Sequence, residues 1–238
     1  MSSLDNIFTW LVTPYSGAST HAIAPWLSWH GRLMVLAWGI ALPMGVLIAR
    51  FFKVTPKQDW PDELDNKFWW HAHRSLQYSG VVLMSLGVWL AWQEGKGESL
   101  AAQVHAVLGW GLVVLGWMQV AGGLLRGSKG GPFTNQGLPV ATASEMRGDH
   151  YDMTLYRKRF ELLHKSIGYS TLLVSVISIN GGLALADAPR WMWAGIWMWW
   201  AAWTTAFIYL HRQGYCVDTY QAIWGPSPQH PGNHKDIL

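Results

Sequence analysis

Cysteine is nearly absent from this chain of 238 residues. The lone Cys216 excludes an internal disulfide framework, a cysteine-built zinc site, a cysteine-ligated iron–sulfur cluster and covalent haem attachment through Cys-x-x-Cys-His. Charge is scarce as well: Asp, Glu, Lys and Arg make up 13% of the chain, about half the ~25% of a typical soluble domain. No Gly-rich phosphate loop, nucleotide fingerprint or nucleophile–His–acid arrangement is present, which removes nucleotide-dependent and triad chemistry. The net charge of +3 does not indicate nucleic acid, because the basic residues are scattered between apolar runs. The nine Met form no Met-x-x-Met cluster and fall singly on apolar faces, so they read as packing rather than copper ligands.

Half of the residues are apolar, and 18 are Trp, a composition suited to long membrane interfaces. Five runs lack Asp, Glu, Lys and Arg: Leu33–Ala49, Ser75–Gln93, Ser99–Leu125, Ser166–Ala186 and Trp191–His211. Each is about as long as the ~20 residues a membrane span needs, and in hydrocarbon each must satisfy its own backbone as a helix. The expected fold is an all-α integral membrane bundle of five transmembrane helices, four forming a core and the fifth a Trp-rich peripheral brace facing lipid. The first 29 residues hold one charged side chain, Asp5, and no basic stretch, so they read as a short tail with an amphipathic turn around Leu4–Val12 rather than a cleavable signal.

Because the loops alternate sides, Arg32, Lys96 and Arg190 share one face and the other fourteen of the 17 Lys and Arg share the opposite one. The positive-inside rule then puts the N-terminus outside and the C-terminus in the cytoplasm. The chain divides into an N-terminal periplasmic tail (1–24), a transmembrane domain (25–212) and a cytoplasmic tail (213–238). Pro25, Pro61 and Pro189 each suit a first helical position, and Thr154 suits an N-cap. The second and fourth helices therefore extend into the cytoplasm before entering the bilayer. Gly127–Met153 reads as a long cytoplasmic loop, Asp218–Trp224 as a short helix, and the Pro-rich end beyond it as mobile.

Four of the ten His stand near the starts of the first four helices: His30, His73, His105 and His164. Steps of four and three residues follow one helix face. From His105 that face carries Gly109, Leu112, Gly116, Gln119 and Gly123; from His164 it carries Gly168, Thr171, Ser175, Ser178 and Gly182. From His73 it carries Gln77, Gly80, Met84, Gly87 and Ala91; from His30, Met34, Ala37, Ala41, Met44 and Ile48. Small residues allow ordinary close packing of membrane helices, but that does not explain a His heading every stripe. Ionisable residues within a membrane are costly and usually functional, and neutral imidazole is a good iron ligand. A flat porphyrin sliding between helices needs small neighbours.

Helix direction pairs the ligands. His30 and His105 share the outer leaflet, and His73 and His164 share the inner one, giving two bis-His haems stacked across the membrane. His30 to Arg50 is about 30 Å of helix, so the two irons lie near opposite faces. His71 competes with His73, but only one can face the bundle, and the small-residue stripe favours His73. His21, His150, His211, His230 and His234 read as solvated, with His150 a possible partner contact. Arg126 and Lys129, just past the third helix, suit either the inner haem's propionates or a headgroup anchor.

Four His at four helix starts, in this order, resemble the cytochrome b561 family of transmembrane dihaem proteins. The matching segments are Trp29-His30-Gly31-Arg32-Leu33-Met34 with Ala49-Arg50-Phe51, His73-Arg74-Ser75-Leu76-Gln77, His105-Ala106-Val107-Leu108-Gly109 with Gln119, and His164-Lys165-Ser166-Ile167-Gly168-Tyr169 with Asn180-Gly181-Gly182-Leu183. They cover about residues 29–184. The resemblance implies non-covalent haem b held by His30 with His105 and by His73 with His164. Five helices without a fused redox domain resemble a bacterial member serving a separate donor or quinone.

The function expected is transmembrane electron transfer by an oxidoreductase. Its partners would be the lipid bilayer, a small redox donor or acceptor, a quinone or a redox protein, and a homodimer or larger complex, but not nucleic acid. One alternative is a haem-b membrane subunit of a larger dehydrogenase or quinone-reactive complex. A His-lined transporter or ion pathway is the alternative of a different class. It fits less well, since transporters place sites near the midplane on broken helices.

Overall fold

The computed structural model describes residues 3–19, 21–94, 97–132 and 146–234. Its helices are α1 (Ser3–Val12), α2 (Pro25–Phe51), α3 (Phe68–Gln93), α4 (Leu100–Leu124), α5 (Leu155–Leu185), α6 (Arg190–Arg212) and α7 (Thr219–Trp224). Helices α2 to α5 are long and apolar enough to cross a membrane. The fifth apolar run also folds as a helix, α6, but it does not join those four. Its six Trp side chains are amphipathic and lower its mean hydropathy. Among the described residues there is no strand, only an isolated bridge between Pro14 and Pro189.

Helix ends follow local chemistry. Pro25 opens α2, where a missing N–H is harmless. Ser99 Oγ accepts the Ala102 amide at 3.1 Å and Thr154 Oγ1 that of Arg157 at 3.3 Å, N-caps worth about 1 kcal/mol each. Two proline expectations need correction. Pro189 is the residue before α6 rather than its first. Pro61 starts nothing: Asp65 adopts a left-handed conformation (φ 56°), and α3 begins only at Phe68, whose amide Asn66 Oδ1 accepts at 2.9 Å. Helices α3 and α5 both start well ahead of their uncharged runs, as expected.

Within α2, Val35–Ala41 is a π-helical turn, which hydrophobic periodicity does not reveal. Its cause is Pro43. Proline offers no N–H to the carbonyl four residues back, which is that of Gly39, and its ring crowds the same oxygen. The widened turn leaves this carbonyl to Trp199 Nε1 of α6, at 2.7 Å. The core surrounds that turn: Ala37, Trp38, Leu42, Val81, Met84, Leu112, Ile179 and Ile196 pack together from α2 to α6. Gly80 admits Leu42, since a Cβ there would lie 2.7 Å from Leu42 Cγ. In α4 the buried positions are Leu112 and Gly116, and its outward face is apolar, with Val107, Val114 and Trp117 exposed. Such a face suits lipid.

The two ends of the bundle are finished differently. At the His30 end, α1 is tied down by Ser16, whose amide and hydroxyl bond Asp187 at 2.8 and 2.6 Å, and by Arg190 Nη1 to Trp10 O at 3.2 Å. At the His73 end, the segments before α3 and around α7 form a cap. Lys53 Nζ donates to Val217 O at 2.8 Å, the Asp65 amide to Ala222 O at 2.9 Å and Tyr220 OH to Tyr151 O at 2.8 Å. The tail expected to be loose folds back as far as His234, because Asn233 Nδ2 donates to Gly225 O and Ser227 O, both at 2.9 Å. Lys96, residues 133–145 of the long loop and residues 235–238 lie outside the described residues.

Candidate functional site

The helices bring the four histidines together in two pairs. The rings of His30 and His105 have centroids 6.2 Å apart, and those of His73 and His164 6.4 Å apart; in both pairs the ring planes cross at 77°. A direct N–H···N hydrogen bond, with nitrogens about 2.9 Å apart, would draw the centroids to roughly 5 Å. A metal bound at about 2 Å by both nitrogens would set them roughly 6 to 6.5 Å apart. The spacing is thus too long for a hydrogen bond and suits one shared metal atom.

Two of the rings have fixed tautomers. His30 Nδ1 lies 2.8 Å from Gly87 O, and His73 Nδ1 lies 2.9 Å from Gly45 O. A carbonyl oxygen only accepts, so each Nδ1 carries the proton and each Nε2 keeps a free lone pair. This is the backbone support usual behind a metal-bound imidazole. The bonds are reciprocal: α2 supplies the His at one end and the carbonyl at the other, and antiparallel α3 does the same. His30 to Gly45 is 15 residues and His73 to Gly87 is 14, so the histidine layers stand roughly 21 Å apart along the helices. His105 packs beside Gly182, where a Cβ would come within 3.2 Å of the ring. Gln119 Nε2 donates to His164 O at 3.2 Å.

The small-residue stripes divide into two kinds. Gly80, Gly87 and Gly116 serve close packing: a Cβ at Gly87 would lie 2.8 Å from Met34 Cε and one at Gly116 3.2 Å from Met84 Cε. That corrects the expectation that whole stripes line a slot. Gly109, one turn beyond His105, and Gly168, one turn beyond His164, have nothing within 4 Å of a Cβ position, and neither does Gly123. Open space therefore flanks each histidine pair, as a flat macrocycle would require. Among the described residues no group of three or more His, Cys, Asp or Glu gathers.

His71 is exposed, while His73 is half-buried and bonded to Gly45 O. Arg126 and Lys129 line one cleft of about 100 Å³ at the His73 end, with Trp69, Trp70, His150 and Arg157. The Arg126 guanidinium lies 4.5 Å from the centre of Trp70, one turn before His73. Lys129 is already engaged, 2.7 Å from Asp65 and 5.0 Å from the centre of Trp224. Phe160, one turn before His164, stacks on that ring at 5.2 Å and 24°. The four-residue spacing could have flagged it.

His150 is not solvated. It is 4% exposed, packed against Tyr220 and Trp224, and its Nε2 lacks a partner. Burial, with a smaller push from Arg157, holds its pKa down at about 4. Its neighbourhood in sequence, Gly148-Asp149-His150-Tyr151-Asp152, looks like a polar loop, which concealed this. His230 is half-buried against Tyr151, whereas His21, His211 and His234 are exposed as expected.

No protein-family model and no solved structure matches the chain. Among curated proteins it is similar to a cytochrome b561, DM13 and DOMON domain-containing protein of Arabidopsis thaliana. They are 28% identical over 173 residues, which cover 73% of this chain and 16% of that protein. A cytochrome b561 and DOMON domain-containing protein of the same plant is 26% identical over 173 residues, 70% of this chain and 34% of the relative. Ferric-chelate reductase 1 of Homo sapiens is 33% identical over 90 residues, 38% of this chain and 15% of the relative. The chain spans about a third or less of the length of these relatives. All three are from a plant or a mammal, so they lend no support to a bacterial source.

Proposed function

We propose that the chain is a cytochrome b561-type membrane protein that passes single electrons across a bilayer between two haem b groups. One is held by His30 and His105, the other by His73 and His164. The observation that carries this reading is the spacing of the two ring pairs, 6.2 and 6.4 Å, with the Nδ1 atoms of His30 and His73 spent on backbone carbonyls. The similarity to cytochrome b561 domain proteins and to ferric-chelate reductase supports it from a separate direction.

Haem supplies a reversible one-electron couple that no side chain of this protein offers. The residues do the rest. Nδ1–H bonds to Gly87 O and Gly45 O fix two imidazoles and raise the basicity of Nε2. Gly109 and Gly168 leave room beside the rings. Arg126 provides positive charge for carboxylates at the His73 end, beside Lys129, which Asp65 already holds. Helices α2 to α5, with α6 as a fifth span bracing α2, hold both layers in a fixed register, so no moving gate is needed. Of the fifteen Lys and Arg among the described residues, thirteen stand on the His73 side, which supports that end facing the cytoplasm and the N-terminus lying outside. The likeness to a ferric-chelate reductase supports a chelated ferric ion as an acceptor class. Paired histidines near both ends, rather than one midplane site, weigh against a transporter.

Sealed vesicles test the reading, with an impermeant acceptor inside and a donor outside. Electrons should reach the interior only when both histidine pairs are intact, because neither pair alone reaches across the ~30 Å hydrocarbon core. Full-rate transfer by His164→Ala would sink the relay. Transfer that works only with added quinone would put a quinone-reactive subunit in its place.

A further inference from the structure

Resting on the two-haem reading, we infer that Trp38 is the bridging group through which electrons tunnel between the two histidine layers. It lies eight residues beyond His30 and seven before Gly45, the carbonyl that supports His73. At helical rise that is roughly 12 Å from one marker and 10 Å from the other. Trp38 therefore stands near the middle of the gap. It is 5% exposed, and the neighbouring Met84 is fully buried. Both reach α4: a Cβ at Gly116 would lie 3.2 Å from Met84 Cε and 3.7 Å from Trp38 Cζ2. The indole thus occupies a dense layer drawn from α2, α3 and α4, with Leu112 and Ile179 in the same cluster.

Its placement is built rather than incidental. Pro43 denies Gly39 its helical hydrogen bond, α2 widens into the π turn Val35–Ala41, and Trp199 Nε1 captures the freed carbonyl at 2.7 Å. Trp38 is the neighbour of that pinned residue. Tunnelling falls off steeply with distance and faster through voids than through packed, bonded matter. A conjugated ring spanning the middle of the path shortens the saturated gap on both sides. With haem bound, one electron would pass from a ferrous iron in one layer, leaving it ferric, to a ferric iron in the other. Trp38 itself is neither oxidised nor protonated.

The test uses the full-length haem-loaded protein with a ruthenium photoreductant on Cys216, its only thiol, which sits at the His73 end. A flash reduces the nearer haem, and equilibration with the farther one is followed optically. Haem content and both midpoint potentials are measured on the same samples. Trp38→Leu should slow equilibration about tenfold and Trp38→Phe about threefold, with potentials unchanged, because the packed path is thinned rather than the sites altered. Wild-type rates in Trp38→Leu, with both haems at their normal potentials, would overturn the bridge. If Trp38→Leu fails to retain both haems, Trp38→Phe decides: a slower rate at unchanged potentials supports the bridge and a wild-type rate overturns it. Fewer than two haems in the wild-type protein would instead defeat the two-haem reading itself.

Discussion

The two histidine pairs share one geometry and sit in two different surroundings. Ring spacings differ by only 0.2 Å between 6.2 and 6.4 Å, and both crossing angles are 77°. Around His30 and His105 the nearest supports are a backbone carbonyl and glycines, and the guanidinium of Arg32 lies out over exposed Trp29. Around His73 and His164 stand Phe160, Gln119, the Arg157–Glu161–Lys165 ion pairs and the cationic cleft of Arg126 and Lys129. Ligand geometry therefore comes from the register of antiparallel helices, which repeats at both ends. Electrostatic character comes from the first turns of α5 and the segment after α4, which are not repeated at the other end.

The sharpest way to break that comparison is to remove one ligand from each pair. His105→Ala should lose the haem at its own end and keep the other, and His164→Ala should do the reverse, each leaving about half the wild-type haem. Absorbance per chain measures this. Loss of both haems from either variant would mean that the pairs are not independent.

Next in size is the division among the glycines. Gly109→Leu and Gly168→Leu fill open space beside one pair each, so haem content should fall at that end while the haem-free protein unfolds as wild type does. Gly80→Ala meets Leu42 Cγ at 2.7 Å instead. It should lower thermal stability by an amount equivalent to about 1–3 kcal/mol, the usual cost of overpacking, and weaken both ends together.

Smaller still is the effect of pH on the cap, which has no counterpart at the other end. His150 is neutral in the folded cap, with a pKa of about 4, against roughly 6.5 when unfolded. The unfolded form binds the extra proton first, so the stability of the cap is full above pH ~6.5 and declines as pH falls toward 4. Arg157 and Lys129 oppose protonation, while Glu161 and Asp218 favour it. Amide exchange in Tyr220 to Trp224 should rise over that window and stop doing so in His150→Phe. The least effect is expected from Arg126→Gln. Losing about 1 kcal/mol of charge interaction should lower the potential of the haem at the His73 end by roughly 40 mV and leave the other unmoved.

The sequence made much of this legible, for reasons that individual residues show. Uncharged runs locate the helices because hydrocarbon tolerates little else. His30, His73, His105 and His164 head stripes with a common period, and helix direction pairs them without further information. Gly80 and Gly109 look alike in sequence, yet one admits Leu42 and the other faces open space; only the register of neighbouring helices separates them. Pro61 misled because left-handed Asp65 and the Asn66 side chain set the start of α3. His150 reads as solvated in the sequence because its burial depends on Tyr220 and Trp224, some seventy residues away. Trp199 meets Gly39 across 160 residues, a contact that no periodicity can announce.

The central claim is that each histidine pair holds one haem iron. Low-temperature electron paramagnetic resonance of the oxidised protein, with haem quantified per chain, tests it most directly. Two bis-imidazole sites predict two low-spin ferric signals and about two haems per chain. A single signal with one haem per chain, or a high-spin signal from an iron lacking its second imidazole, would contradict it.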